Sequence, residues 1–333
     1  MYKDKSMDDI FNDAAAGNVE AIGLRPPVDT HIKLSVVIAT YNRAGTLVTT
    51  LDALTGQTLP MVLWEIVVVD NNSPDDTRMA VDNFAAAHPE LNIRVVTEKR
   101  QGVSHARNRG IEESVGEYIV VIDDDEQAVP RFLEEYYNLF EGMPDVMAAG
   151  GRIIPKYTSP IPRWLSPRTE RPIAGTVNFG RKIKPIPEGK FFGGGNHGVR
   201  RLMFERYGVY NTELGRTGKD LLAGEEKELY ARFKAAGAKM YYLPEAIIYH
   251  NIEPERLTPE YFKRLCYRIG RSERVRTLGL SRGAYRKRLL SEAVKWCAAI
   301  VLSLGYLITL RPDKGWYLLV MRAEITRGLL SDG

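Results

Sequence analysis

The sequence is poor in cysteine: its 333 residues hold two, Cys266 and Cys297, with no Cys-x-x-Cys or Cys/His spacing. That excludes a disulfide scaffold and a thiolate zinc site, and it suits a reducing compartment. Net charge is also small. Lys and Arg number 46 against 42 Asp and Glu, a balance of +4 that gives no ground for a nucleic-acid partner. The first stretch, Met1 to Thr30, carries Asp4, Asp8, Asp9 and Asp13 without a continuous apolar run. It does not read as a secretory signal, so a cytoplasmic location is expected. Long apolar runs are scarce too. Residues 296–310 are fifteen positions without a charge, which as a helix reach about 22 Å against the roughly 30 Å hydrocarbon core of a bilayer. Extending that run upstream brings in Glu292 and Lys295, so a clean transmembrane span is not expected. What is present, 44% apolar and 26% charged residues, suffices for a substantial buried core.

From Lys33 onward, short apolar runs alternate with amphipathic stretches. Runs at 34–39 (LSVVIA), 65–69 (EIVVV), 93–97, 118–122 (YIVVI) and 146–149 read as strands, apolar on both faces. Helices are expected over 46–57, 75–88, 103–114 and 131–141. This alternation predicts an α/β fold, a mostly parallel sheet flanked by helices, with ligands beyond the C-terminal strand ends. The rhythm breaks over 155–187, which holds seven of the eighteen prolines and reads as an irregular excursion. Order returns at 191–196, followed by helices over 200–206 and 225–236 and strands at 239–243 and 246–249. Thr258-Pro259-Glu260 then starts a helix, with Thr as cap and Pro in the first turn. Three parts are expected: an N-terminal extension (1–32), an α/β domain (33–255) and a basic helical C-terminal region (256–333).

Between Arg256 and Arg288 stand eleven Lys or Arg and two acids, a local +9 that leaves the rest of the chain at −5. A basic segment followed by an apolar one with Trp296, Tyr306, Trp316 and Tyr317 fits peripheral attachment to an anionic membrane. The alternative is an intramolecular lid whose basic face is solvated and whose apolar face packs on the sheet.

The densest local signal is YIVVIDDDE at 118–126, a buried strand ending in four acids. Their self-repulsion calls for something positive nearby. In extended backbone Asp123 and Asp125 point to one side and Asp124 to the other. A carboxylate pair beyond a sheet edge suits Mg2+ or Mn2+, whose other ligands are water and substrate phosphates. Helix capping explains these acids less well, because the next helix starts near Pro130. Thr40-Tyr41-Asn42-Arg43 and Asp70-Asn71-Asn72-Ser73 follow two other strands and offer a ring, amides and a carboxylate for a nucleoside, although turn chemistry accounts equally for Asn71, Asn72 and Ser73. QGVSHARNRG at 101–110 opens a helix bearing Arg107 and Asn108, and Gly193-Gly194-Gly195-Asn196 permits close backbone approach to a ligand. Neither a P-loop nor a dinucleotide fingerprint is present. In GEEKEL, Glu226 shares its helix face with Leu229, Tyr230 and Phe233, while Glu228 faces Arg232. Glu226 is the candidate general base and Glu225 the near alternative. His250, at the end of the last strand, reads equally as structural or as completing a metal or pyrophosphate site.

Taken in order, SVVIATYNR, VVVDNNS, ARNRG, VVIDDDE, GGGN and GEEKEL resemble the motif series of the family 2 glycosyltransferases over about residues 34–250. The resemblance implies the GT-A fold and a nucleotide-diphospho-sugar donor. It places Thr40, Tyr41, Asp70 and Asn71 at the nucleoside of that donor and Asp123 near the ribose, while residue type and position add Asn42, Arg107, Asp124, Gly194 and Asn196 as further donor contacts. It makes Asp125 the expected ligand of Mn2+ or Mg2+, and the positions of Asp123 and His250 at the strand ends add them to the expected metal set. The family's usual Glu-Asp is here Glu225-Glu226, so a Glu replaces the expected Asp base. Inversion by single displacement is implied, onto a saccharide or lipid-linked acceptor in glycan assembly at the cytoplasmic membrane face. The rival readings are a metal-dependent phosphotransferase and a non-catalytic nucleotide-sugar-binding scaffold.

Overall fold

The structure, a computed structural model, describes residues 31–215 and 224–331. The N-terminal extension expected over 1–32 lies outside the described residues except for its last two positions.

Strands β1 (Leu34–Thr40), β2 (Trp64–Asp70), β3 (Ile93–Thr97) and β4 (Tyr118–Asp123) pair in parallel in the order β3-β2-β1-β4. Helices α1 (Ala44–Thr55), α2 (Thr77–Ala87), α3 (Val103–Glu113) and α4 (Phe132–Gly142) connect and follow them. Strand alternation divides the apolar residues between two cores. Val36, Ile38, Val120 and Ile122 pack with Leu47 and Leu51 of α1 and Phe132 and Tyr136 of α4. Val37, Ile119 and Val121 face the other way. There they meet Ile111 of α3 and, further along the chain, Phe204 of α6 (Arg201–Tyr207) and Leu229, Tyr230 and Phe233 of α7 (Glu225–Ala235).

The rest of the sheet is made by β5 (Glu126–Ala128), β6 (Val146–Tyr157), β7 (Lys184–Pro185), β8 (His197–Arg200) and β9 (Lys239–Ile252). From β4 the order is β8-β6-β9-β5, with β7 against β9. β6 and β9 are parallel, while β8, β5 and β7 run antiparallel to their partners. The two strands expected at 239–243 and 246–249 are one. β9 runs through Pro244 because its register against β6 shifts there, between Gly151 and Arg152, where a proline without an N–H is tolerated. The stretch 155–187 is also more regular than its prolines suggest. It finishes β6, forms α5 (Pro167–Ala174) behind a capping box at Ser166, and supplies β7.

After β9 come α8 (Pro259–Leu280), α9 (Arg282–Ile308) and α10 (Pro312–Leu330). Thr258 caps α8, its side chain accepting from the Tyr261 N–H at 3.3 Å. Phe262, Leu265 and Cys266 of α8 and Leu318, Met321 and Ile325 of α10 form a third core with Trp164, Leu165 and Ile173. The two helices cross at Gly270 and Gly328, where an added Cβ would lie 2.2 Å from the Ile325 carbonyl oxygen or 2.0 Å from that of Tyr267. The free basic charge of 256–288 is smaller than its count. Arg256 is buried, Arg276 and Arg288 pair with Glu273, and Arg288 joins Arg322 on buried Glu292.

Candidate active site

Register sets the geometry. Thr40 stands level with Asp70 across β1 and β2, and Ala39 with Asp123 across β1 and β4, so three strands end side by side. Asp123 closes β4, and Asp124 and Asp125 form a turn into β5, whose Glu126 pairs with His250 of β9. The turn ends the strand alternation, which corrects the expected grouping. Asp124 and Asp125 share the guanidinium of Arg43, at 3.1 and 2.7 Å, while Asp123 turns to Arg107.

Arg107 of α3 is 3% exposed and gathers three carboxylates. Its Nη2 donates to Asp123 Oδ1 at 2.8 Å and to the Gly194 carbonyl at 3.3 Å. Its Nη1 donates to Glu226 Oε1 at 2.8 Å and to Glu225 Oε1 at 3.3 Å. The guanidinium lies 5.5 Å over the ring of Tyr210, whose hydroxyl is 2.6 Å from His197 Nε2. Burial and the Arg107 charge push the His197 imidazole down to about 4. It is therefore neutral, donating Nδ1–H to the Gly193 carbonyl at 3.2 Å and accepting from Tyr210.

The two glutamates at the start of α7 differ in exposure and charge. Burial and the neighbouring Glu226 charge push Glu225 up to about 8, against the pull of Arg107. For Glu226 burial acts upward, but Arg107 outweighs it and holds the carboxyl down at about 2. The Glu226 side chain is 17% exposed and that of Glu225 is 5%. Glu226, the more exposed of the two and held down by Arg107, is the carboxylate placed to take a proton, whereas burial and its neighbour push Glu225 toward the protonated form.

A pH prediction follows from Glu225. Its folded pKa lies above the unfolded value near 4.5, so the folded state binds the extra proton between the two. That contribution is present below about pH 4.5 and is lost as pH rises toward about 8. Glu225→Gln, which mimics the protonated acid, is expected to gain stability over wild type progressively between pH 5 and 8.5 in thermal melts. A difference in Tm independent of pH would contradict the assignment.

Gly194 is needed for space. A Cβ there would lie 2.3 Å from Glu226 Oε1 and 3.4 Å from Arg107 Nη2. Gly194→Ala is therefore expected to displace the Glu226 carboxylate, lowering kcat by about tenfold or more while shifting stability by no more than the 1–3 kcal/mol of a local overpacking. Kinetics alongside a melting curve check this.

On the other side of the turn, Asp125 Oδ2 accepts from Arg43 and from Arg256, and its Oδ1 lies 3.6 Å from His250 Nε2. Burial acts to raise this carboxyl, yet His250, Arg256 and Arg43 hold it well below the usual carboxylate range. His250 Nδ1 faces the Ala174 carbonyl at 2.8 Å and its Nε2 faces Arg256 Nη1 at 2.8 Å. Arginine only donates, so in that contact Nε2 accepts, and its lone pair, like Asp125 Oδ2, is open to a cation only once Arg256 withdraws. Among the described residues no three His, Cys, Asp or Glu side chains converge as a metal cluster. The hard oxygens of Asp123 and Asp125 suit Mg2+ or Mn2+ completed by water and phosphate. Asp123 Oδ2 makes no hydrogen bond among the described residues, whereas Asp125 fits only once a guanidinium withdraws.

The remaining expected residues divide in two. Tyr41 is 42% exposed at the end of β1, and Asn42 beside it adopts φ 56° with its N–H on Ser73 Oγ. Asp70 Oδ1 accepts from the Ser73 N–H at 3.0 Å. Buried Thr40 donates its hydroxyl to Asp124 at 2.7 Å. Two amides are engaged within the fold. Asn71 donates to the carbonyls of Glu98 and Arg100 and accepts from the Gly102 N–H. Asn196, 0% exposed, donates to the carbonyls of Arg152 and Ala246 and accepts from Tyr136. Their amides shape loops: each NH2 is fully used within the fold and each Oδ1 already accepts one hydrogen bond. The sequence reading passed over Arg43, Arg256, His197 and Tyr210. Arg43 stood inside the SVVIATYNR motif, and Arg256 was counted with the basic run.

Residues 35–208 match Glycosyl transferase family 2. The Glucosyl-dolichyl phosphate glucuronosyltransferase of Haloferax volcanii is 26% identical over 258 residues, covering 74% of this chain and 78% of that protein. Glycosyltransferase AglE of the same organism is 31% identical over 195 residues, covering 53% of this chain and 63% of its own length. Among solved structures, the mannosyltransferase PcManGT from Pyrobaculum calidifontis, in complex with GDP-Man and Mn2+, has a TM-score of 0.58 at 18% identity, over 97% of this chain and 94% of that one. S. aureus TarS with UDP-GlcNAc has a TM-score of 0.54 at 17% identity, over 72% and 66%. At such identities the structural likeness is one of fold.

Proposed function

The chain belongs to Glycosyl transferase family 2 and is a glycosyltransferase, and from that premise we propose that it moves a sugar, with inversion, from a nucleotide-diphospho-sugar to a saccharide or lipid-linked acceptor. The observation that carries the reading is the single buried guanidinium of Arg107, which ties Asp123 at the strand ends to Glu226 at the start of α7. The nucleoside lies over the ends of β1 and β2, with the Tyr41 ring as its stacking surface and Asp70 at its polar edge. Glu226 takes the proton from the acceptor hydroxyl as that oxygen attacks the anomeric carbon and the nucleoside diphosphate leaves. One displacement inverts the centre and needs no covalent nucleophile. Protonated Glu225 packs behind Glu226, and Arg107 holds both in position. A divalent cation, Mn2+ or Mg2+, when bound by Asp125 and Asp123, supplies positive charge for the leaving diphosphate. A relative named for a dolichyl phosphate substrate supports a lipid-linked acceptor.

The C-terminal helices supply a membrane-facing surface on this reading. Leu290, Val294, Val301, Leu304 and Ile308 are exposed on α9 and fall within about 40° of one line along it. Exposed Arg282, Arg286 and Lys287 stand at its start, and exposed Leu310 and Trp316 near its end. Among the described residues α9 is the one helix long and apolar enough to cross a membrane by length and composition. Buried Glu292, paired with Arg288 and Arg322, ties one flank of α9 to α10. Peripheral attachment to the anionic inner face of the cell membrane follows from charge and apolar surface together. Val301→Asp/Leu304→Asp is expected to abolish sedimentation with anionic vesicles while the melting temperature stays within a few degrees of wild type. Unchanged sedimentation would contradict the assignment.

The function is tested by incubating the purified protein with labelled UDP-, GDP- or dTDP-sugars and polyprenyl-linked saccharides, then determining the anomeric configuration of the product by NMR. An inverted linkage is expected. A retained linkage, or transfer of phosphate instead of sugar, would overturn the reading.

A further inference from the structure

Two guanidiniums share one buried carboxylate. Asp125 Oδ2 accepts from Arg43 Nη1 at 2.7 Å and from Arg256 Nη2, and the Asp125 side chain is 4% exposed. Arg43 comes from the loop after β1. Arg256 comes from the short turn Pro254–Leu257 that joins β9 to α8. The residue before that turn, Glu253, reaches Arg43 Nη2 at 3.5 Å. The next residue after Arg256, Leu257, is buried in the C-terminal core with Phe262, Leu265 and Leu318. The acidic turn at the strand ends is thus joined to the C-terminal helices by an ion pair.

The partners of each arginine decide which one can let go. Arg43 bonds both Asp124 and Asp125 and keeps the first if it loses the second. Arg256 bonds Asp125 and His250 Nε2, and Asp125 is its sole carboxylate partner among the described ion pairs. A hard cation binds through carboxylate oxygens, and each Asp125 oxygen is faced by a guanidinium or by an imidazole nitrogen. A nucleoside diphosphate meanwhile brings negative charge to a site whose arginines are already neutralised by aspartates. Both imbalances are relieved by one exchange, in which the cation takes Asp125 and the freed guanidinium turns to the diphosphate.

We propose that Arg256 is a latch: it competes with the divalent cation for Asp125, and loading of the donor site releases it and loosens the turn at 253–257 together with the first turn of α8. This rests on the donor and cation reading given above. The latch would report donor occupancy to the helices that carry the apolar surface.

The test uses Mn2+ alone, titrated by water-proton relaxation. Arg256→Met is expected to bind Mn2+ about tenfold more tightly than wild type, because a charge-assisted competitor has been removed. Arg256→Lys, which keeps the charge and loses the fork, is expected to fall between them, and it carries the comparison if the Met variant fails to fold. In wild type, amide exchange over 253–262 is expected to speed up when Mn2+ is added together with UDP or GDP. Equal Mn2+ affinity in folded wild type and variants, or exchange unmoved by Mn2+ and nucleotide that do bind, overturns the latch and leaves the cation site standing. Absence of Mn2+ binding by every variant, with or without nucleotide, overturns the cation reading itself.

Discussion

Glu226→Gln is expected to lower kcat by about a thousandfold, within the range of a lost general base, while the donor KM stays within about threefold. The substitution keeps the shape of the side chain and its bond from Arg107 but removes the capacity to take a proton. The adjacent glutamate cannot substitute. Glu225 is protonated under the influence of burial and of the Glu226 charge, and its Oε2 accepts from the Gly224 N–H at 2.9 Å. Glu225→Gln should therefore keep kcat within about tenfold of wild type, since no proton is transferred to it. The two variants, assayed side by side for sugar transfer, separate base from support. Equal losses, or a larger loss at Glu225, would move the base to Glu225.

Arg107→Met is expected to cost about 3 kcal/mol of stability as well as nearly all activity, because it leaves the Glu226 carboxylate and, at the rim, the part-exposed Asp123 without their counter-charge. Three carboxylates lie on this one guanidinium, two of them at 2.8 Å. A loss of that size should lower Tm by about 10 °C in a domain of this size. Arg107→Lys should be little better, since a point charge cannot fork toward Asp123 and Glu226 at once. Adding Glu226→Gln to Arg107→Met removes one of the stranded charges, so stability should partly return while activity does not. A double variant no more stable than Arg107→Met would show that the guanidinium acts through packing on Tyr210 and not through charge.

The four parallel strands could be read because they are local: each is a short Val- and Ile-rich run bounded by turn residues, and β1, β2 and β4 are buried on both faces. The acidic residues at the ends of β4 and at the start of α7 were legible for the same reason. What could not be read were the partnerships. Arg256 meets Asp125 across 131 positions of sequence, and Arg107 meets Glu226 across 119. No local pattern distinguishes such arginines from solvated ones. Counting Arg256 into a basic run was reasonable by composition, and the turn that buries it is set by the packing of Leu257. The side assignment of the aspartates failed because strand geometry stops at Asp123, where the chain turns to make β5. Asn71 and Asn196 were read as ligand-facing by residue type, yet each side chain completes backbone bonds that its loop leaves open. β9 was divided at Pro244 because a proline breaks a regular ladder, whereas a register shift lets the ladder continue.

The central claim is that the strand ends and the acidic turn form a nucleotide-diphospho-sugar site. Its most direct test is thermal stabilisation of the purified protein by UDP-, GDP- and dTDP-sugars with and without Mn2+, for wild type and Asp125→Asn. The account predicts that one nucleotide class raises Tm by several degrees, that Mn2+ enlarges the shift, and that Asp125→Asn removes the Mn2+ effect. A folded wild-type protein whose Tm is moved by none of these donors, with Mn2+ present, would contradict it.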